Sequence, residues 1–197
     1  MLAGCGTGSA PASPGAPVTS KAAAGPAGSQ SPAGGQAAAP PAITAAGDIP
    51  DTTVYVPHRY LPGHFLVKVP EGWSRQASPA ATFASDLNSI TAARLPGSAA
   101  PTVATARAGT VPALRSSTAA FSLTSIRPVT LAAGPAIEIV YEVNSAPNAV
   151  TGRRYRLVVE RFELFKAGRG AALSLSSAVG SDNVDPWRIV SESFRWL

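Results

Sequence analysis

The composition of this chain breaks near residue 50, and that break limits what can fold. From Gly6 to Gly47 only Val18, Lys21 and Ile43 fall outside the set Ala, Gly, Pro, Ser, Thr and Gln. Such a stretch buries too little apolar surface to offset the entropy lost on ordering. We therefore expect residues 6–50 to be a disordered tether, spanning about 35–40 Å as a flexible coil. Any core must come from the remaining 147 of the 197 residues, 51–197, which is the size of one domain.

Charge follows the same division. All but Lys21 of the sixteen basic residues and all but Asp48 of the eleven acidic ones lie in 51–197, so the net charge of +5 does too. Thirteen of the sixteen are arginine, which with the alanine excess reflects GC-rich coding, so arginine usage alone is no evidence for anion binding. No apolar run approaches the ~18–20 residues of a membrane span, and no internal repeat is visible.

Cys5 is the only cysteine. The run Leu2-Ala3-Gly4-Cys5 resembles the lipobox of bacterial lipoproteins, whose cysteine is acylated on sulfur and becomes the mature N-terminus. The resemblance implies lipidation at Cys5, anchoring to the cell membrane and an extracytoplasmic domain held off the bilayer by the tether. Residues 1–5 then read as the end of a signal peptide. Only four residues precede Cys5, so an apolar leader is expected upstream of Met1. Two or three acyl chains anchor stably where one does not.

Within the domain, Thr52–Val56 reads as a short first strand and Pro57–Gly63 as a turn. Phe65, Val67 and Val69 alternate with Leu66 and Lys68, the period of a half-buried strand. Ala81–Ala84 and Ser89–Ala93 are further short strands. Val103–Ala108 reads as a helix stopped by Gly109, with Pro112 opening another. Long strands follow at Ser122–Leu131, Ala136–Asn144 and Arg154–Lys166. The first two are separated by Gly134-Pro135, the second and third by the loop Ser145–Gly152. After the turn Gly168-Arg169-Gly170 comes a strand at Ala171–Ser177. A last helix has Asp185 as N-cap, Pro186 at N1 and an apolar stripe of Trp187, Val190 and Phe194, with Trp196 and Leu197 extending its contact. The expected class is α+β, a mainly antiparallel sheet covered by helices.

Four segments together resemble the PsbP-like superfamily, which includes actinobacterial lipoproteins of the LpqN type. They are Gly63-His64-Phe65-Leu66-Val67-Lys68-Val69-Pro70-Glu71-Gly72-Trp73, Thr82-Phe83-Ala84-Ser85-Asp86, Val129-Thr130-Leu131-Ala132-Ala133-Gly134-Pro135-Ala136 and Asp185-Pro186-Trp187-Arg188-Ile189-Val190-Ser191-Glu192-Ser193-Phe194. Their order covers Tyr60 to the C-terminus. The resemblance implies an α/β/α sandwich and, by analogy, non-enzymatic binding or assembly. The Pro/Ala-rich stretch Gly97–Pro112 departs from the pattern.

Residues for chemistry are sparse. His58 and His64, with Asp51 or Glu71, fall short of the ligand sets zinc prefers, so no metal or cofactor is expected. Gly-x-Ser-x-Gly, His-Glu-x-x-His and a phosphate-cradling glycine loop are absent; a Ser/His/Asp triad would have to be assembled from separated residues. Glu138 and Glu142 share a strand face, read as solvated, whereas Glu160 and Glu163 do not. Trp73 and Trp187 read as sheet–helix contacts. The basic residues Arg153, Arg154, Arg156 and Arg161 lie on one strand and its approach. Arg154 and Arg156 share one face, Arg153 and Arg161 the other. They are the candidate contacts for an anionic lipid, an envelope polymer or a membrane protein, or they are a strand edge kept charged against aggregation. Nucleic acid is not expected, on the extracytoplasmic location that the lipobox resemblance implies; Tyr155 and Phe165 also lie opposite Arg154 and Arg156, whereas RNA-binding sheets expose aromatics. The expected function is a membrane-anchored binding or assembly module and not an enzyme. The alternatives are a small envelope hydrolase or transferase, or a carrier of lipid or a small apolar ligand.

Overall fold

The computed structural model describes residues 47–77 and 80–197. Cys5 and most of the expected tether lie outside them. The described body begins before Asp51: Ile49 is 5% exposed and belongs to the core, and Gly47 and Asp48 are bonded to Asn88, Asn183 and Asp182.

The architecture is α+β. A seven-stranded sheet runs in the order β3 (Ser74–Ala77), β4 (Ala81–Ser85), β5 (Asn88–Leu95), β9 (Arg169–Ala178), β8 (Arg156–Lys166), β7 (Gly134–Asn144), β6 (Ser122–Leu131). Every neighbouring pair is antiparallel. A small sheet, β1 (Tyr55–Tyr60), β2 (Phe65–Pro70) and β10 (Arg195–Trp196), packs with the C-terminal helix Val184–Glu192 over one face. Phe65, Val67 and Val69 of β2 meet Ile90, Ala92, Leu173 and Leu175 of the large sheet in that core, joined by Trp187, Val190 and Phe194. Trp73 meets Trp187 edge-on at 6.4 Å. Among the described residues no helix is long and apolar enough to cross a membrane.

The opposite face carries a second core under a helix spanning 103–117, built on Ile137, Ile139, Tyr141, Val143 and Val159. Here the expectation of two helices broken at Gly109 is corrected. Val103–Thr105 is capped by reciprocal bonds between Thr102 and Thr105. A π segment, Ala106–Thr110, then leads without a break into Val111–Ser117. Glycine inside a helix costs ~1 kcal/mol, and Pro112 has no N–H to give its preceding turn. The wider π turn, in which the Val111 N–H reaches Ala106 O, carries the proline, and burial of Ala106 and Val111 holds the run together.

Other boundaries shift for local reasons. β1 runs on to Tyr60, and the reversal is confined to Leu61–Gly63 with His64 in the left-handed region at φ 54°. Leu131 pairs with Gly134, so the β6–β7 reversal is Ala132-Ala133, and Gly134 and Pro135 already belong to β7. The β8–β9 turn is Ala167-Gly168, both at positive φ (48° and 77°), as a tight right-twisted hairpin requires. Asn183, not Asp185, holds the N-cap position of the last helix, with its side chain bonded elsewhere. Trp187 N–H closes the first turn on Asn183 O at 2.9 Å, and Asp185 instead pairs with Arg188 at 2.9 Å.

Candidate functional site

The loop 95–101, the helix 103–117 and strand β8 enclose a cleft of about 610 Å³. That volume is within the range of small-molecule sites. Leu95, Pro96, Ala99, Ala100 and Pro101 form one wall, and Ala106, Gly109, Ala113 and Leu114 the other. Small residues at 105, 109, 113 and 117 keep the helix side of the cleft open; Arg161 and Glu163 supply its charged groups, and Ser98, Thr105, Thr110 and Ser117 its hydroxyls.

Arg161 and Glu163 alternate with Phe162, so both point to the helix-covered face while Phe162 enters the main core. Arg161 Nε donates to Glu163 Oε1 at 3.0 Å, with the Glu163 side chain 2% and the Arg161 side chain 18% exposed. Thr110 donates its hydroxyl to the same carboxylate at 3.0 Å. Arg161 Nη1 also makes a long 3.5 Å contact to Ser174 Oγ. Among the described residues no acceptor meets the second terminal nitrogen. The guanidinium is thus immobilised, neutralised by one carboxylate, and left with donors for a guest. Burial raises the pKa of the neighbouring Tyr141 hydroxyl, and the Arg161 charge opposes that rise. Among the described residues no histidine lines the cleft.

The structure does not gather the four candidate arginines. Arg153 and Arg154 precede β8, which begins at Arg156, and Arg154 Nη1 donates to Ser145 O at 3.1 Å. Arg156 lies on the opposite face from Arg161. There it pairs with Glu142 at 3.0 Å and donates to Ala120 O at 2.6 Å. Glu163, which the basic-cluster reading passed over, becomes the anchor of the cleft. Its signal in sequence was the Arg-x-Glu spacing, which puts both charges on one strand face.

Glu138 and Glu142 do share a face, but it is not uniformly solvated. Glu138 is 6% exposed and paired with Arg127. Glu160 lies on that face too; burial, then the Glu138 charge, push its pKa up, opposed by Arg127. His58 packs edge-on against Phe83 at 4.7 Å, whereas His64 lines a pocket with Arg94 and Arg169. Among the described residues no three potential metal ligands converge.

No family model and no curated protein matches this chain. Among solved structures it is similar to the crystal structure of PA94, a protein of unknown function from Pseudomonas aeruginosa. The identity is 12% and the TM-score 0.43, over 68% of this chain and 91% of that one. A likeness so distant carries no argument about activity. The fold and the cleft define only an α+β domain with a ligand-sized groove.

Proposed function

We propose that this protein is a membrane-tethered, extracytoplasmic binding module of the lipoprotein and PsbP-like kind its sequence resembles. Its cleft holds an apolar ligand or chain segment that carries one neutral hydrogen-bond acceptor. The observation that carries this reading is Arg161: a fixed guanidinium with free donors in a mostly apolar groove. Glu163 already neutralises it, so a carbonyl or hydroxyl oxygen fits there better than a second carboxylate. Apolar walls supply affinity, and one directed donor supplies orientation. The layered sheet and helices support the PsbP-like resemblance at the level of architecture, and the Cys5 run supports the tether.

Filling the cleft tests the binding half. The neutral fluorophore N-phenyl-1-naphthylamine should bind the full chain saturably, and Ala113→Trp, on an exposed position lining the cleft, should abolish that binding while leaving the melting curve in place. Equal binding by both proteins, or none by either, overturns the reading. The location half is tested by intact mass after detergent extraction from native cells. Cleavage before Cys5 with added acyl mass is expected, and a free Cys5 thiol overturns it.

A further inference from the structure

A second, smaller site lies at one end of the main sheet. The turn Leu61–Gly63, the end of β5 and the start of β9 enclose a pocket of about 150 Å³ lined by Pro62, Gly63, His64, Arg94, Arg169 and Gly170. This is several times the ~30 Å³ share of one water and suits a single tetrahedral oxyanion. Among the described residues its lining carries two arginines and a histidine and no carboxylate.

The fold builds this concentration of charge. Arg94 is opposite Ala171 on β9, so Arg169, two residues from Ala171, is its diagonal neighbour on the same sheet face. Lys166 is the register partner of Arg169 and adds a third cation on that face. Elsewhere on the main sheet Arg127, Arg156 and Arg161 each lie against a glutamate. Arg94 and Arg169 have neither an ion pair nor a side-chain hydrogen bond among the described residues. Both glycines are needed for the walls to close. A Cβ at Gly170 would stand 2.7 Å from Leu95 O, and one at Gly63 would stand 2.2 Å from the Phe65 ring. His64 is held in the left-handed region, φ 54°, a conformation costing of order 1–3 kcal/mol for a non-glycine residue. The bond from Leu197 N–H to His64 O, at 2.8 Å, fixes it there.

We propose that this pocket binds a phosphate group, held between the guanidinium forks of Arg94 and Arg169 with His64 beside them. Like charges brought together without a counter-ion repel, and a phosphate relieves that repulsion while accepting the paired donors that arginine offers. The site faces the opposite side of the sheet from the cleft, whose wall includes Leu95 beside Arg94, and shares none of its lining residues, so it stands whether or not the cleft reading does.

The test uses the full chain carrying Cys5→Ser, so that no acyl group confounds membrane binding. Inorganic phosphate, followed by amide NMR at ~0.1 M salt, should shift the His64 and Gly170 signals saturably. Arg94→Gln with Arg169→Gln should weaken that binding about tenfold or more, with an unchanged circular dichroism spectrum. Arg107→Gln, on the helix across the sheet, should leave it intact. In parallel, the protein is sedimented with phosphatidylcholine vesicles with and without phosphatidylglycerol. Sedimentation only with phosphatidylglycerol, competed by phosphate and lost in the double variant, makes the source a lipid headgroup. Saturable phosphate binding without sedimentation makes it a soluble phosphate ester. No saturable shift and no sedimentation, or effects that survive in the double variant, overturn the proposal.

Discussion

The hydroxyl of Thr110 donates to the buried carboxylate of Glu163 at 3.0 Å, joining the π segment of the helix to the strand beneath it. Glu163 is also the counter-ion of Arg161, so helix placement and cleft chemistry depend on one carboxylate. Thr110→Val should cost about 1.5–3 kcal/mol, the worth of one bond to a charged acceptor. Glu163→Gln should cost roughly 3–5 kcal/mol, because it leaves the Arg161 charge buried without a counter-ion. Replacing both, Arg161→Met with Glu163→Leu, should recover much of that loss. Urea unfolding of the three variants checks the order; a double variant no better than Glu163→Gln would show that the pair itself is not what stabilises this region.

Glu160 penalises the folded state at neutral pH. Its folded pKa lies above the ordinary glutamate value, through burial first and the Glu138 charge second. In the window between those two values the folded protein keeps a proton that the unfolded chain has lost. Stability therefore falls as pH rises through the window, and the penalty is complete above it. Glu160→Gln should raise the melting temperature at pH 7, with the gain shrinking towards pH 4. A gain that is constant with pH would assign the effect to packing instead.

His58 acts in the opposite direction. Burial, then the nearby Arg75 charge, lower its pKa, and its Nε2 is buried without a hydrogen-bond partner among the described residues. The unfolded chain takes up a proton as pH falls through about 6.5, while the folded protein resists until its lowered value. Stability is thus full above that range and declines as pH falls through it. His58→Phe keeps a ring against Phe83 and removes the orphaned nitrogen. It should be more stable by roughly 1 kcal/mol at pH 7, with the gap widening at pH 5. Chemical denaturation at the two pH values measures this directly.

Asn183 closes the N-terminal end of the body. At 2% exposure, its Oδ1 accepts from Ile49 N–H at 2.8 Å, and its Nδ2 donates to Gly47 O at 2.8 Å and to Asn88 Oδ1 at 3.1 Å. Asn183→Ala strands a buried N–H and should cost about 2–3 kcal/mol. Amide exchange should accelerate first at Ile49. Global unfolding without that local signature would argue against a separate clasp.

Where one strand or one helix decides a feature, the sequence alone was enough. The alternation of Phe65, Val67 and Val69 predicts a strand with those three inward, and all are at most 3% exposed. The stripe Trp187, Val190 and Phe194 predicts three inward side chains, and all are at most 4% exposed, although the helix closes at Glu192 and Phe194 lies beyond it. The long strands from Ser122 onward follow from β-rich runs bounded by turn residues. These signals are local, because side-chain direction repeats every 2 residues in a strand and every 3.6 in a helix.

What no local pattern encodes is which groups from distant segments share space. The helix 103–117 crosses Gly109 and Pro112 because its inner side buries Ala106 and Val111 against β7 and β8, a gain set by tertiary contact. The arginines near β8 part company because sheet pairing sends Arg156 to Glu142 on one face and Arg161 to Glu163 on the other. His64, Arg94 and Arg169 meet only because the first turn of the small sheet lands at the end of two strands of the large one. A sequence determines periodicity and where chains can turn; ion pairs and pockets depend on packing and register between segments far apart in the chain, and only the folded structure sets those.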